Sequence, residues 1–372
     1  LSISLISITT FSQKCGTHEH FFSDQMSKHA KYYENLADKN KHLTIAHDKA
    51  VKKLTTLKNE DVKKIIPVVV HNIYNDQGGY ISDAEIHAAI DALNKNFNGQ
   101  SERLLEKYQN KYIKTPDIFA AVRGVANVEF RLAKWTPGQG LLCNDCDERQ
   151  PTNGINRVYS DITSTGSGGI DPIKEIAYWN AYEYFNIWTV RSFATAGLLG
   201  YAQFPQDLDA GFPNFMSTDG VVILASEFRD SQSSTMTHEA GHWLGLRHTW
   251  GDAVCGDDGI NDTPVQRYDN NGASESSPTP SGHPRPTPAL FPYHVGIAAP
   301  AGVTGAWGCV ADSLNPSGEM FMNYMSYTSD QYTTMFSAGQ IDVVNTVLEG
   351  AINEDTGEQE VGYRQYLSLI HI

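Results

Sequence analysis

The chain has 372 residues, with 43 acidic and 28 basic side chains and a formal net charge of −15 at pH 7. This acidic balance argues against nucleic acid as a partner. Apolar residues make up 40% and charged residues 19%, which is typical of a globular protein with one or two domains. No internal apolar run is long enough to span a membrane.

The N-terminal 63 residues are predicted to precede the main fold. Residues 1–12 are small and apolar, as in the tail of a secretory signal peptide, and the alternative is a disordered or strand-like terminus. Residues 13–63 are polar and rich in Lys, His and Asn, which favours a pro-segment or leader. Together these segments predict a secreted, extracellular protein.

Strands alternate with helices along the next part of the chain. Residues 82–97 are predicted to form a helix, with Ser82 as the N-cap and Glu85 at capping-box spacing. Runs of β-branched and aromatic residues predict strands over 65–74, 127–133, 185–193 and 221–225. This alternation predicts an α/β (α+β) fold with a mostly parallel mixed sheet.

The segment TMTHEAGHWLGLRHTWGD, residues 235–252, contains three histidines. His238 and His242 are four residues apart, so a helix places both on one face. On a straight helix His248 would lie roughly 15 Å from His238, at ~1.5 Å rise per residue. Gly245 is predicted to end the helix and let the chain turn back, because glycine adopts positive φ easily.

These histidines predict a catalytic metal centre. Three neutral imidazoles suit Zn²⁺ and leave its fourth position open to water, whose pKa the metal lowers to about 7. Glu239 follows the first histidine and is placed to take the proton of that water and pass it to a leaving amine. The motif therefore indicates hydrolysis of a peptide bond; the alternative is a surface helix with coincidental histidines.

Five cysteines leave at least one free if the others pair internally. Cys143 and Cys146 form a lone CxxC, which favours a local disulfide or an accessory loop over a zinc ribbon. Residues 270–306, dense in Pro, Ser, Gly and Ala, are predicted to form a long irregular loop.

The zinc motif HEAGHWLGLRHTW, together with GEMFMNYMSY at 318–327, resembles the metzincin metalloproteases. Within them the chain is similar to the pappalysin family, close to its ulilysin-like bacterial members, over about residues 65–348. Supporting segments are IPVVVH, FNIW, GLLGYAQFP, DGVVI and DDGINDTP. The resemblance implies a twisted mixed sheet and active-site helix in an N-terminal subdomain, and an irregular C-terminal subdomain with a Met-turn.

The resemblance also implies an activity and several residue roles. The protein would be a secreted zinc endopeptidase, made as a zymogen and acting on proteins or peptides. Met325 would be the Met-turn residue beneath the metal, with an ordinary core methionine as the alternative. Tyr327 would stabilise the tetrahedral oxyanion. The strand at 221–225 would be the sheet edge that pairs with an extended substrate.

Residues 257–264, DDGINDTP, match the calcium-binding loop of this family. Oxygen ligands of this kind suit Ca²⁺, and the alternative is an acidic turn without metal. Asp262 is expected to brace the loop. The implied ligands are Asp258 and Thr263 first, then Asp257 and Asn261.

Three further assignments follow from the resemblance. Cys255 and Cys309 would form a disulfide that brackets the long loop. Cys15 would occupy the open zinc position in the zymogen as a cysteine switch, with a free thiol as the alternative. Asp330 would line the substrate pocket and favour Arg or Lys after the scissile bond.

The predicted boundaries are 64–355 for the catalytic domain and 356–372 for a truncated tail. LSLIHI, residues 367–372, matches a translated sequencing-adapter string and is expected to be an artefact. Two other functions compete with the peptidase: a catalytically idle, secreted zinc-containing binding protein, and a metal-dependent hydrolase of non-peptide substrates. Glu239, Tyr327 and the open coordination position argue against the idle protein, and the implied edge strand and Met-turn favour peptide substrates. The sequence does not indicate an oligomeric state.

Overall fold

The structure is a computed structural model. It describes residues 63–104, 115, 117–137, 150–165, 172–181, 183–205, 215–266, 269–270, 319–349, 351–352, 359–360 and 364. The predicted signal-peptide remnant and nearly all of the predicted leader lie outside these residues. Four of the five cysteines also lie outside them, namely Cys15, Cys143, Cys146 and Cys309. The assignments made for those segments stay predictions.

The described strands are β1 Lys64–Tyr74, β2 Val128–Leu132, β3 Ile155–Tyr159, β4 Ser164–Thr165, β5 Phe185–Val190, β6 Ser192–Phe193, β7 Gly200–Ala202, β8 Val221–Leu224, β9 Ala351–Ile352 and β10 Gln359–Glu360. The described α-helices are α1 Asp83–Phe97, α2 Asp117–Ala120, α3 Pro172–Ile176, α4 Phe215–Thr218, α5 Ala225–Arg229, α6 Thr235–Trp243 and α7 Ala338–Glu349. Short 3-10 turns span Glu102–Leu104 and Asp330–Tyr332. None of the helices in the described part of the chain is long and apolar enough to cross a membrane.

In the described part of the chain, one six-stranded sheet organises the fold, with the order β2-β1-β5-β8-β7 and β3 also paired with β1. β1 pairs in parallel with β2, β3 and β5, and β5 pairs in parallel with β8. β7 alone runs antiparallel, against β8. The predicted α/β fold with a mostly parallel mixed sheet is therefore confirmed.

The identity of the edge strand differs from the prediction. The segment at 221–225 was expected to be the sheet edge, but β8 lies between β5 and β7. Within the described residues β7 forms the edge, because the chain folds its three residues, Gly200 to Ala202, back antiparallel onto β8. A three-residue strand that begins with glycine has no alternating pattern, so the sequence did not indicate it.

Helix α1 forms over the predicted residues and packs on the sheet. Its capping box is present: Ser82 Oγ accepts the Glu85 N–H at 3.3 Å, and the Glu85 carboxylate accepts the Ser82 N–H at 2.8 Å. Its apolar face joins the main hydrophobic core together with α6, α7 and one side of the sheet. The buried residues of this face include Ile86, Ile90, Leu93 and Phe97.

Arg364 lies beyond the predicted end of the catalytic domain at residue 355 but contacts α6. Its buried guanidinium forms an ion pair with Asp219, with Nη2 2.8 Å from Oδ1. Arg364 Nε donates to the Trp243 carbonyl oxygen at 2.9 Å, and the guanidinium lies 4.0 Å from the centre of the Trp243 ring. The fold therefore extends at least to residue 364.

Candidate active site

Helix α6 carries the first two histidines and ends where glycine was predicted to stop it. The helix is buried along its whole length and ends at Trp243. Gly245 has φ +90°, and the Leu246 N–H donates back to the Gly241 carbonyl oxygen at 2.9 Å. This left-handed residue reverses the chain and returns His248 to the helix.

The three imidazoles converge on one point. Nε2 of His242 lies 3.0 Å from Nε2 of His238 and 3.1 Å from Nε2 of His248. These separations are close to the roughly 3.3 Å expected between nitrogens around a tetrahedral metal with bonds of about 2.0–2.1 Å. Among the described residues, this trio is the single group of three or more His, Cys, Asp or Glu side chains able to hold a metal ion.

The second nitrogen of each ring has a hydrogen-bond acceptor. Because each Nδ1 faces an acceptor oxygen, Nδ1 carries the proton and Nε2 keeps its lone pair, as a metal ligand requires. The contacts are His238 Nδ1 to Tyr324 O at 2.7 Å, His242 Nδ1 to Leu246 O at 2.7 Å, and His248 Nδ1 to Asp252 Oδ1 at 2.6 Å.

Burial also favours the neutral, metal-binding form of the first histidine. His238 is completely buried, and this desolvation lowers its pKa from 6.5 to about 3, with the neighbouring His248 acting in the same direction. The ring is therefore neutral across the physiological pH range. Neutral nitrogen donors of this kind fit a divalent zinc ion.

Glu239 is buried beside the edge strand of the sheet. A Cβ atom added to Gly200 of β7 would lie 3.0 Å from Glu239 Cγ and 3.2 Å from Glu239 Oε1. Glycine at this position thus lets the carboxylate lie directly against β7. A carboxylate that follows the first histidine in the chain and lies against a sheet edge can exchange protons with groups bound at that edge.

Met325 lies directly against α6. A Cβ atom added to Gly241, between the two helical histidines, would lie 2.6 Å from Met325 Sδ. Met325 is fully buried, and the Thr249 N–H donates to its carbonyl oxygen at 3.3 Å. The residue therefore lies at the site, as the resemblance implied, while its role as the Met-turn residue stays a prediction.

Tyr327 lies beside two of the histidines. Its ring centre is 5.6 Å from that of His238 and 5.0 Å from that of His248. The Trp250 ring packs on it at 4.7 Å. The structure thus brings Tyr327 to the site, and its role toward an oxyanion stays a prediction.

The acidic loop at 257–264 is folded around Asp258. Its Oδ1 accepts the Ile260 N–H at 3.1 Å and the Thr263 hydroxyl at 2.5 Å, and burial raises the pKa of Asp258 to about 7. Asp257 and Asn261 are exposed. Calcium ligation by these four residues stays a prediction.

Asp262 braces the loop, as expected. Its Oδ1 accepts the Ser337 hydroxyl at 2.6 Å, and its Oδ2 accepts the Gly339 N–H at 2.8 Å, at the start of α7. Cys255 is disulfide-bonded, with a partner outside the described residues, so its pairing with Cys309 stays a prediction.

Asp330 contacts the start of α6. Its Oδ1 accepts the Ser234 N–H at 2.9 Å, and burial raises the pKa of Asp330 to about 6. Arg103 contacts the same region, donating to Ser234 Oγ at 3.1 Å and to the Thr333 carbonyl oxygen at 3.2 Å. Whether Asp330 also lines a substrate pocket stays a prediction.

Sequence reasoning missed four residues that shape the site. Asp252 is four positions after His248, and this short spacing could have indicated a hydrogen-bond acceptor for the third histidine. The sequence offered no sign for the roles of Gly200, Gly241 and Arg103, because their contacts are with residues distant in the chain.

Known proteins resemble this chain in both sequence and structure. A family profile described as pregnancy-associated plasma protein-A matches residues 171–279, which include all three histidines. Mature mirolysin from Tannerella forsythia, solved with a cleaved peptide, is 30% identical, with a TM-score of 0.58 over 83% of this chain and 96% of that chain. A promirolysin mutant from the same organism is 28% identical, with a TM-score of 0.64 over 96% of each chain.

Curated relatives match over shorter stretches. An extracellular metalloprotease of Colletotrichum graminicola is 30% identical over 154 residues, which are 38% of this chain and 42% of that relative. The chain therefore spans less than half the length of this relative. With the mirolysin match extending over nearly all of that structure, and with two histidines of α6 meeting a third from the loop after it, the chain belongs to the pappalysin family of metzincin metalloproteases.

Proposed function

We propose that the protein is a secreted zinc-dependent endopeptidase that is made as a zymogen. The observation that carries this proposal is the convergence of three imidazole Nε2 atoms, with Glu239, the residue after His238, buried against the sheet edge. The family supports the metallopeptidase class. The zinc ligands, the general base, secretion and latency are the proposed part.

His238, His242 and His248 are proposed to hold the zinc ion. Their three donors leave room for a further ligand, as in catalytic rather than structural zinc sites. When bound, zinc supplies Lewis-acid chemistry that polarises a carbonyl and acidifies water.

Glu239 is proposed to accept a proton from the attacking water and to donate it to the leaving amine. Its position one residue after His238 and beside β7 supports this role, because the proton moves between water and a peptide nitrogen lying along that strand. Tyr327 is proposed to donate a hydrogen bond to the oxyanion, supported by its packing against His238 and His248.

The substrate is proposed to be an extended polypeptide aligned along β7. This strand is the last in the described sheet, and Glu239 lies against its first residue. Extended peptides commonly bind by adding a strand to a sheet edge. Mature mirolysin was solved with a cleaved peptide, which is consistent with this class of ligand.

The remaining assignments belong to the same proposal. Secretion is supported by relatives named extracellular metalloproteases, and latency by the likeness to promirolysin. We propose 13–63 as the pro-segment with Cys15 as its zinc ligand, 64–355 as the main part of the catalytic domain, and Ca²⁺ as the ion of the acidic loop. Asp330 is proposed to favour a basic side chain after the scissile bond.

The test is proteolysis of casein by the processed protein, with and without a zinc chelator. Glu239→Gln should lower kcat by about 10²–10⁴-fold, since it removes the proton acceptor but keeps the side-chain shape. Zinc content should be unchanged. Glu102→Gln, at an exposed position, is the matched control and should retain full activity.

Two results would each contradict part of this proposal. Casein cleavage that persists in Glu239→Gln would exclude Glu239 as the general base. A wild-type protein that binds zinc but cleaves neither casein nor a peptide library would instead support the idle binding protein.

A further inference from the structure

The three histidines differ in what their Nδ1 atoms contact. His238 and His242, both on α6, donate to backbone carbonyl oxygens. His248, which lies beyond the helix, donates to the Asp252 carboxylate at 2.6 Å. We propose that Asp252 is a positioning residue that orients His248 and strengthens it as a zinc ligand. The inference rests on the proposed zinc site.

Two side chains just after His248 contact its ring. The His248 side chain is 2% exposed and that of Asp252 is 24% exposed, so the imidazole side of their hydrogen bond is shielded from water. The Trp250 ring stacks on the His248 ring, with a centre separation of 4.2 Å and an interplanar angle of 9°. Trp250 thus contacts the face of the His248 ring, and Asp252 accepts a hydrogen bond at its edge.

The backbone turn that places Asp252 is tightly constrained. Gly251 has φ +56° and Asp252 has φ +58°, both left-handed. A Cβ atom at Gly251 would lie 2.2 Å from the Asp257 carbonyl oxygen, so the turn packs backbone against the start of the acidic loop. Aspartate adopts this conformation more readily than most residues. The turn therefore places the Asp252 side chain on the side of the loop that faces His248.

A carboxylate differs from a carbonyl as a partner for this imidazole. Its charge makes the hydrogen bond with Nδ1–H about twice as strong as a neutral one. The negative charge also increases electron density at Nε2, which makes that atom a better donor to a cation. Losing such a partner commonly weakens metal binding by 10–100-fold.

The experiment measures zinc affinity rather than catalysis. All proteins are full-length and carry Cys15→Ser, so that the thiol does not contribute to binding. The apo proteins are titrated with zinc against a chromophoric chelator. Asp252→Gly removes the carboxylate and keeps the left-handed backbone unstrained, since glycine favours positive φ. Asp252→Asn keeps an oxygen acceptor but removes the charge.

The expected ranking follows from these contacts. Asp252→Gly should bind zinc about 10–100-fold more weakly than the parent. Asp252→Asn should lose about three- to tenfold, because a neutral acceptor remains. Asp91→Asn removes one negative charge from the exposed face of α1 and should bind zinc as the parent does. The visible spectrum of the cobalt-substituted protein should shift in both Asp252 variants and not in Asp91→Asn.

The outcomes separate this inference from the proposed function. A parent protein that binds no zinc would overturn both. A parent that binds zinc, with equal affinity in Asp252→Gly at an unchanged apo melting temperature, would overturn the role of Asp252 alone. If Asp252→Gly does not fold, Asp252→Asn decides: unchanged affinity and an unchanged cobalt spectrum would overturn the inference.

Discussion

The site has two parts that are built in different ways. The helix half, Thr235–Trp243, carries two histidines whose spacing comes from helical periodicity and whose Nδ1 atoms bond to backbone carbonyls. The loop half, His248–Gln266 and Glu319–Ser337, carries the third histidine, Met325 and Tyr327 on irregular backbone. The first half depends on local geometry, and the second depends on contacts between distant residues.

The largest expected effect comes from breaking the Arg364–Asp219 ion pair, which lies at the C-terminal end of the helix half. Arg364→Met leaves the Asp219 carboxylate, which is 1% exposed, without its cation. Removing one partner of a buried pair typically costs about 3–5 kcal/mol of unfolding free energy. Urea denaturation should show this loss together with reduced zinc affinity, because Arg364 also binds the Trp243 carbonyl at the end of α6.

The double variant Arg364→Met/Asp219→Asn is the control. In the wild-type protein the Trp243 indole N–H donates to Asp219 Oδ2 at 3.0 Å. The amide oxygen of an asparagine at position 219 can still accept this hydrogen bond. The double variant should therefore be more stable than Arg364→Met alone. Equal instability of the two would show that the buried charge is not the cause.

The next largest effect concerns the contact between the two halves. Gly241→Ala would place a methyl group 2.6 Å from Met325 Sδ. Overpacking of this kind costs about 1–3 kcal/mol, although alanine in a helix interior recovers up to about 1 kcal/mol. Urea denaturation should show a net loss of stability.

Shortening the methionine tests whether that contact is responsible. In a Met325→Ala background, the added methyl group at 241 should cost nothing or should stabilise, because the sulfur atom has been removed. The double-mutant cycle should then give a coupling energy of about 1 kcal/mol or more. A Gly241→Ala cost that is the same in both backgrounds would place the clash elsewhere.

A smaller effect is expected where the helix half meets the edge strand. Gly200→Ala would place a Cβ atom 3.0 Å from Glu239 Cγ, so the carboxylate must shift by a few tenths of an ångström. We expect kcat/KM for casein to fall about tenfold, or about 1.4 kcal/mol. Zinc affinity should not change. A fall in zinc affinity equal to that in activity would mean that the histidines moved instead.

The sequence predicted helix α1, the helix half and the turn after it well because the relevant interactions are local. The capping box at Ser82 and Glu85, the spacing of His238 and His242, and the positive φ of Gly245 all involve residues within four positions of each other. Each follows from backbone geometry that does not depend on the rest of the fold.

The loop half and the sheet edge could not be predicted in the same way. β7 has three residues and becomes a strand only by pairing with β8, so the edge was assigned to the wrong segment. α7 was not predicted, although its apolar residues recur at helical spacing. The contacts of Gly241 with Met325 and of Arg364 with Asp219 join positions 84 or more residues apart, which one sequence does not reveal.

Asp330 tests a single hydrogen bond between the two halves. It lies in the loop half and accepts the backbone N–H of Ser234, just before the helix half. Burial raises its pKa from 3.8 to about 6. The folded state therefore binds more protons than the unfolded state between these values, so this group stabilises the fold below pH 3.8 and loses that contribution as pH rises through 6.

Asp330→Asn keeps the acceptor for Ser234 and does not titrate. The variant should thus gain stability relative to wild type as urea denaturation is repeated from pH 4 to pH 7.5. Parallel curves for the two proteins would contradict the raised pKa. A peptide library run on the same variant addresses the separate prediction of a basic preference, which disappears in Asp330→Asn only if the carboxylate also faces the substrate.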